Sequence, residues 1–381
     1  MLTYKGVFKA ATVQAEPVWM DADATITKAI RIIEEAADNG AKFVAFPEVF
    51  IPGYPWWIWL GTAMWGAKFV VPFHENCLEL GDKRMQRIQA AAKQNGIALV
   101  MGYGERDGGS RYMSQVFIDD SGKIVANRRK LKPTHEERTI FGEGNGSDFI
   151  THDFPFARVG GFNCWEHLQP LSKYMMYSLQ EQVHVASWPA MCTYQPDVPQ
   201  FGAGANEAVT RSYAIEGACY VLGATLVIGK AAHDAFCDTE EHHKLLGMGG
   251  GWARIFGPDG EYLAESLAHD AEGILYADID LSKILLAKAN TDTVGHYARP
   301  DVLSLLVNTH NPGPVRYLDE EGRQVSTSIR RHEKLEGQSL DLEVTPATPA
   351  TLDIASLVQQ AKPSTVKSES NASTKQPDLA V

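Results

Sequence analysis

The chain opens with a strand, a helix and a second strand, and this order limits the folds that it can adopt. Apolar residues fill Phe8–Gln14 and Lys42–Phe46, and the intervening Ala22–Asn39 carries isoleucine and alanine at helical spacing. Such a unit predicts two parallel strands with a helix crossing between them. The alternation continues, with hairpins interspersed, to the strand Gly273–Ile279 and the short helix Ser282–Ala289. We therefore predict an α/β fold with helices outside and a mixed sheet inside.

The elements between these ends follow from the same periodicities. Apolar stripes at helical spacing predict helices over Asp82–Gln94, Leu168–Leu179 and Ala205–Glu216. Short apolar runs predict strands over Ile97–Tyr103, Tyr112–Asp119, Lys123–Arg129, Phe154–Asn163, Val183–Trp188, Cys219–Val227, Trp252–Phe256 and Glu261–Ala264. Two of the strand pairs are predicted hairpins, with turns at Asp119–Gly122 and Gly257–Gly260.

The C-terminal part has a different composition. No aromatic residue follows Tyr317, and from about Glu343 the chain is rich in Thr, Pro, Ser, Ala and Lys. Such a segment has too little apolar surface to order itself. We predict one folded domain over residues 1–307, an extension over 308–342 and a disordered tail over 343–381.

Charge and hydropathy exclude several classes of partner. The net charge is −12, whereas nucleic acids and anionic membranes are bound by clustered Lys and Arg. No apolar run approaches the roughly 20 residues of a membrane span, and the N-terminus lacks the apolar core of a signal peptide. We expect a cytoplasmic protein that acts on small, uncharged molecules.

Three reactive residues each follow a predicted strand: Glu48, Lys130 and Cys164. Active sites of α/β sheets form at the carboxyl ends of strands, so these side chains are expected to converge. Cys164 also precedes a predicted helix, whose first N–H groups would favour the thiolate. A cysteine nucleophile needs a base and a donor for developing negative charge. Glu48, with a pKa raised by burial, would be the base, and Lys130 with the N–H of Trp165 the donor.

Each of these residues also has an ordinary structural interpretation. A buried, inert thiol is the commonest state of a cysteine, a Glu at a strand end is usually solvated, and Lys130 lies in a basic run that could face solvent. The five cysteines are odd in number and widely spaced, without a Cys-x-x-Cys pair. That pattern argues against a disulfide framework or a structural zinc site. His167 likewise lacks a second ligand pair at suitable spacing, so we predict no metal.

Three sequence blocks carry a resemblance to a known family. Phe46–Tyr54, Arg129–Arg138 and Asn163–His167 resemble the signature blocks of the nitrilases, in the carbon–nitrogen hydrolase superfamily, and Val185–Pro189 matches as well. The resemblance extends from about Phe8 to Val307. It implies a four-layer αββα sandwich.

The resemblance also implies the catalytic residues. They are Glu48 as base, Lys130 as stabiliser, Cys164 as nucleophile and Glu137 in support. Lys132 shares a face with Lys130 on an extended chain, and the family motif selects Lys130. Phe162 stands where relatives often have a smaller aliphatic residue, which would reshape the packing behind the nucleophile.

The implied activity is hydrolysis of a nitrile to a carboxylic acid and ammonia through a thioimidate and a thioester, with an amide as minor by-product and without a cofactor. The Trp-Glu-His after Cys164 favours nitrilases over amidases and carbamoylases. The sequence is also compatible with a cyanide-hydrolysing relative or with a catalytically silent assembly protein. The family implies a homo-oligomer built from dimers, in some members a spiral or filament, to which Asp292–Asp301 and the tail could contribute contacts.

Aromatic residues near these blocks are candidates for the substrate pocket. The loop Tyr54–Trp59 follows Glu48 closely and favours an apolar, aromatic or arylaliphatic nitrile. Packing in the core or at an interface is an equally good interpretation of its tryptophans. We predict that the substrate is contacted by Tyr54, Trp57, His135, Trp165 and Trp188.

Overall fold

The computed structural model describes residues 2–309, 317–318 and 324–325. The tail predicted over 343–381, and nearly all of the extension predicted over 308–342, lie outside the described residues. Among the helices in the described part of the chain, none combines the length and the apolar character that a membrane crossing requires.

Strands and helices alternate along the chain, as predicted. The strands are β1 (Val7–Ala15), β2 (Phe43–Ala45), β3 (Ala98–Asp107), β4 (Ser110–Ile118), β5 (Ile124–Arg129), β6 (Thr151–Asp153), β7 (Arg158–Asn163), β8 (Val183–Trp188), β9 (Tyr220–Leu226), β10 (Arg254–Phe256), β11 (Gly273–Asp280), β12 (Tyr317–Leu318) and β13 (Gln324–Val325). The α-helices are α1 (Ala22–Asp38), α2 (Ala63–Asn76), α3 (Lys83–Asn95), α4 (Pro170–Ser178), α5 (Ala203–Gly217), α6 (Lys230–Phe236), α7 (Glu240–Leu245) and α8 (Ser282–Asn290). Short 3₁₀ helices cover Trp56–Trp59, His135–Thr139, Gly146–Asp148, Cys164–Leu168 and Pro199–Phe201.

The main sheet is mixed and has two arms that meet at β1. One arm runs β2-β3-β4-β5, and the other runs β9-β8-β7-β6. Pairing is parallel from β3 through β2 to β1 and from β1 through β9 and β8 to β7. The outer strands of both arms are antiparallel hairpins. β11 lies antiparallel to β1, and β10 lies antiparallel to β9.

Buried side chains form three separate cores, which define the layers. Because side chains alternate along a strand, each arm presents one face to the other arm and one to helices. Phe43 of β2 and Val185 of β8 share a core between the arms. Val44 packs in a second core with residues of α1 and α3, and Ala186 packs in a third core with residues of α4 and α5. The result is the predicted αββα sandwich.

Two of the predicted strands differ in the structure. The run Phe154–Asn163 is not one strand, because residues 154–157 form the turn between β6 and β7. Pro155 has no N–H for a ladder, and the Phe154 N–H donates to the Ala157 carbonyl oxygen at 3.0 Å to close the turn. Glu261–Ala264 is not a strand either, since a single bridge from Tyr262 to Phe256 replaces the predicted hairpin.

Candidate active site

Glu48, Lys130 and Cys164 lie at the carboxyl ends of β2, β5 and β7, and the structure brings them together. Lys130 Nζ donates to Glu48 Oε1 at 2.9 Å and to Glu137 Oε2 at 2.7 Å. Cys164 Sγ and one carboxylate oxygen from each glutamate all lie within 4.8 Å of one another. All four side chains, including Glu137, are buried, so the ammonium, the two carboxylates and the thiol are largely shielded from bulk solvent.

Glu137 is held in place by neutral donors in addition to Lys130. It lies on the 3₁₀ helix that starts at His135, where the Thr134 N–H donates to Oε2 at 2.6 Å. The Tyr54 hydroxyl donates to Oε1 at 2.7 Å, and Trp59 Nε1 donates to that hydroxyl at 3.0 Å. These bonds fix Glu137 as an anchor for the Lys130 ammonium.

The two carboxylate oxygens of Glu48 differ in their hydrogen bonding. Oε1 accepts from Lys130, whereas Oε2 is buried and receives no hydrogen bond from any residue that the structure describes. Burial raises the pKa of Glu48 to about 8; Lys130 opposes this shift and Glu137 adds to it. The direction agrees with the expectation from sequence, and it gives Glu48 a proton affinity suited to a base near neutral pH.

Electrostatics keep the lysine charged and the thiol neutral. Burial alone would lower the pKa of Lys130, but the Glu137 and Glu48 carboxylates outweigh burial and raise it. Burial raises the pKa of Cys164 well above its usual range, although Lys130 and the Trp165 N–H act in the opposite direction. The Trp165 N–H at the start of the helix favours the thiolate, as the sequence predicts, but burial outweighs this contribution to the pKa of Cys164.

The backbone of Cys164 adopts a conformation that a non-glycine residue rarely takes. Its φ is +48°, in the left-handed region where a Cβ is strained. The residue begins the 3₁₀ helix that follows β7, and its carbonyl oxygen is 2.6 Å from His167 Nδ1. Local contacts thus hold the strained turn that directs the thiol into the site.

The Glu166 side chain connects the end of β5, which Lys130 follows, to the end of β7, which Cys164 follows. Arg128 donates to Glu166 through Nη1 at 2.9 Å and Nη2 at 2.6 Å, and both side chains are buried. The same carboxylate also accepts hydrogen bonds from two backbone N–H groups. Oε1 accepts from Leu131 N at 2.9 Å, and Oε2 accepts from Asn163 N at 2.8 Å. Leu131 follows the lysine and Asn163 precedes the cysteine, so one carboxylate sets the spacing of both.

A chain of buried hydrogen bonds runs from the backbone of Cys164 into the helix layer. A carbonyl only accepts, so His167 Nδ1 donates to the Cys164 oxygen, and His167 Nε2 must accept from His184 Nε2 at 3.0 Å. His184 Nδ1 lies 2.9 Å from Glu181 Oε2, and Tyr213 donates to Glu181 Oε1. Burial lowers the pKa of both histidines well below the usual range and raises the pKa of Glu181 to about 8. A protonated Glu181 therefore donates to His184 Nδ1, so that every group in the chain is neutral and each hydrogen bond has a defined donor.

Sequence reasoning missed the roles of Arg128, Glu166, Glu181 and His184. The signal for His184 was present, since a histidine in the middle of a buried strand must have a partner. Phe162 contacts the same chain, with its ring edge-on to His167 and His184 at centroid distances of 5.8 and 5.5 Å.

An apolar pocket opens above Cys164. Its empty space is about 430 Å³, a volume that includes open solvent at the mouth. The Trp165 ring stacks on Phe201 at 5.1 Å, and its Nε1 donates to Asn206 at 2.9 Å. The residues that line the pocket are Tyr54, Trp56, Trp59, Thr134, Glu137, Cys164, Trp165, Trp188, Pro189, Ala190, Met191, Thr193, Phe201 and Asn206.

The structure puts three of the five predicted substrate contacts on this wall: Tyr54, Trp165 and Trp188. Trp57 lies elsewhere, because residues three apart share a face of a 3₁₀ helix. That periodicity turns Trp56 and Trp59 toward the pocket and Trp57 toward α2, where it stacks on Phe69 at 5.6 Å.

His135, the remaining predicted contact, also lies off the wall. Its ring stacks on Trp59 at 5.8 Å, and 66% of its side chain is exposed to solvent.

Comparison with known proteins places the chain in a family. The carbon–nitrogen hydrolase family model matches residues 9–289. An aliphatic nitrilase of Rhodococcus rhodochrous is 63% identical over 89% of this chain and 88% of its own length. A second aliphatic nitrilase of that organism is 58% identical over 83% of this chain and 86% of its own.

Solved structures share the fold at low identity. A carbon–nitrogen hydrolase from Helicobacter pylori G27 has a TM-score of 0.62 at 18% identity, covering 78% of this chain and 97% of that chain. A mutant amidase from Nesterenkonia has a TM-score of 0.55 at 18% identity, covering 76% and 97%. At such identities the likeness is one of fold alone.

We predict that Glu166→Gln damages stability and turnover together. The amide leaves the buried Arg128 charge unbalanced and cannot accept all four hydrogen bonds, so the free energy of unfolding should fall by about 3–5 kcal/mol. Denaturant unfolding and ammonia release measure the two effects. The control is Glu143→Gln, which removes the ion pair of Glu143 with Lys132, both more than half exposed, and should cost under about 1 kcal/mol. Equal stability of the two variants would contradict the prediction.

Proposed function

Because the chain belongs to the carbon–nitrogen hydrolase family and, within it, to the nitrilases, we propose that Glu48, Lys130 and Cys164 perform its reaction with Glu137 in support. The chain is a hydrolase that converts nitriles to carboxylic acids and ammonia. One observation carries the proposal: a buried lysine bonded to two carboxylates lies beside a cysteine at the base of an apolar pocket.

The first step is attack of Cys164 on the nitrile carbon. The thiol is neutral at rest, so its proton must leave as the carbon–sulfur bond forms. Glu48 Oε2, unbonded among the described residues, is the acceptor, and the proton passes on to the nitrile nitrogen. A thioimidate, with one N–H on its nitrogen, results. Lys130 stabilises the negative charge that develops during attack.

The second stage consumes two water molecules. Glu48 takes a proton from the first water, whose oxygen adds to the thioimidate carbon, and passes this proton to the nitrogen. The remaining hydroxyl proton moves to the nitrogen as the tetrahedral intermediate expels ammonia and leaves a thioester. A second water, activated in the same way, releases the carboxylic acid and returns the proton to the Cys164 sulfur. If the tetrahedral intermediate expels the thiolate instead, the product is an amide.

Lys130 acts as a fixed positive charge in this scheme. Two carboxylates raise its pKa, so it does not exchange its proton and serves in electrostatic stabilisation. Glu137, through its bonds from Tyr54 and Thr134, keeps the ammonium in place while Glu48 cycles between its charge states.

A small aliphatic nitrile is the substrate class that we propose. The two Rhodococcus relatives are named aliphatic nitrilases, and the pocket lined by Trp56, Trp59 and Trp188 is suited to an apolar group. This proposal differs from the aromatic or arylaliphatic preference expected from the loop Tyr54–Trp59, which stays a prediction.

We also propose that the chain forms a homo-oligomer and works in the cytoplasm. Large apolar side chains are exposed on α4, α5 and α8 and in the segment after them, which supports a covered surface: Leu171, Ile215, Leu286, Val302, Leu303 and Leu306. All five cysteines are free thiols, which fits a reducing compartment.

Replacement of Cys164 by alanine should abolish ammonia release from an aliphatic nitrile. The expected loss is roughly 10⁴-fold or more, because no thioimidate can form, while the melting temperature stays close to that of the wild type. Cys77→Ala, which removes a buried thiol from the helix layer, should retain turnover. Assay of the matched amide separates the activities: faster turnover of amide than of nitrile by the wild type, or turnover by Cys164→Ala, would contradict the proposal.

The pH profile should report the raised pKa of Glu48. Since the base must be ionised, kcat/KM should rise with pH to an inflection near 8 and fall about tenfold for each pH unit below it. Glu181 has a similarly raised pKa and lies outside the pocket lining, so Glu181→Gln should keep the inflection. A profile that is flat through neutrality, or an inflection lost in Glu181→Gln, would disprove the assignment.

A further inference from the structure

Three metal-binding side chains meet where α6 faces α7. His233 lies in α6, Cys237 follows that helix, and His243 lies in α7; one donor atom from each is within 4.8 Å of the others. His233 and Cys237 are four residues apart and so fall on the same side of the helix end. His243 is exposed and the other two are partly exposed, so an ion can reach the cluster from solvent.

The orientation of His233 is that of a metal ligand. Its Nε2 donates to the Leu246 carbonyl oxygen at 2.8 Å, so a neutral ring has no hydrogen on Nδ1. That lone pair points at His243 Nδ1, 2.9 Å away. A ligating histidine almost always donates its other N–H to a carbonyl or carboxylate, which fixes ring and tautomer. The ring is therefore set for coordination before an ion binds.

We propose that His233, Cys237 and His243 bind a zinc ion, with water as the fourth ligand. One thiolate and two imidazoles form a donor set that selects zinc over magnesium or calcium, which prefer oxygen ligands. Coordination releases the Cys237 thiol proton to solvent. His243 gives up its hydrogen bond to His233 and shifts its own hydrogen to Nε2, so both rings remain neutral.

An ion at this position would cross-link α6 to α7 and stiffen one wall of the pocket. Leu246 carries the carbonyl that His233 contacts, and it pairs with Thr193, a pocket residue. The N–H of Tyr194 donates to the Leu245 oxygen at 2.8 Å. Zinc would thus act on the pocket through the backbone of residues 245–246, without touching the reacting atoms.

Zinc binding is best measured in the Cys164→Ala protein, because Glu48, Glu137 and Cys164 form a second group of donor atoms. In competition with a chromophoric chelator, one zinc ion should bind per chain. Cys237→Ser and His243→Ala should each weaken binding by more than about tenfold, and His269→Ala, at an exposed histidine outside the cluster, should not change it. Cobalt should give a thiolate-to-metal absorption band that Cys237→Ser abolishes.

The site also predicts a change in stability. Zinc should raise the melting temperature of the Cys164→Ala protein, and this rise should vanish in Cys237→Ser. No stoichiometric binding, or binding that Cys237→Ser and His243→Ala leave unchanged, would overturn the proposal. These outcomes test zinc binding alone, and the ammonia assays test nitrile hydrolysis separately.

Discussion

The Arg128–Glu166 ion pair connects the two arms of the sheet where the reactive groups are concentrated. Arg128 belongs to β5, and Glu166 lies in the 3₁₀ helix after β7, so the pair bridges the two arms of the sheet. Burying two charges costs several kcal/mol each in desolvation, so such pairs contribute little net stability. Here the Glu166 carboxylate also accepts hydrogen bonds from the backbone N–H groups beside Lys130 and Cys164. Its contribution is to fix the distance between the cation and the nucleophile.

The reactive groups themselves are balanced by charge and burial. One ammonium faces two carboxylates, so if Glu48 takes up a proton, Lys130 and Glu137 are left as a neutral pair. Burial raises the pKa values of Glu48 and of Cys164 together, which keeps the resting thiol uncharged. In the proposed mechanism, the Cys164 thiol loses its proton only when a substrate offers an atom to receive it. A neutral hydrogen-bonded chain through His167, His184 and Glu181 supports the strained Cys164 backbone without adding charge.

Strand and helix periodicity was sufficient for an α/β fold with helices outside, and the position after each strand was sufficient for the convergence of Glu48, Lys130 and Cys164. The four layers followed from the resemblance to the nitrilases. The sequence was insufficient where local geometry decides. The 3₁₀ turn places Trp59 on the pocket wall and takes the predicted contact Trp57 off it, and desolvation outweighs the groups that lower the pKa of Cys164. Helices α2, α6 and α7 were not predicted: α2 contains Pro72, and α6 and α7 are only two turns or less. The sequence did not reveal the cluster of His233, Cys237 and His243, because His243 comes from a separate helix.

The central claim, covalent catalysis by Cys164 in the charge field of Lys130 and Glu48, is tested most directly by trapping the intermediate. The wild-type protein is mixed with excess aliphatic nitrile and quenched in acid during turnover. It is then digested, and the masses of its peptides are measured by mass spectrometry. We predict an added mass equal to the nitrile, for the thioimidate, or to the acyl group less the displaced thiol hydrogen, for the thioester, on the peptide that contains Cys164. An adduct on another cysteine, or ammonia release without any adduct on Cys164, would contradict the account.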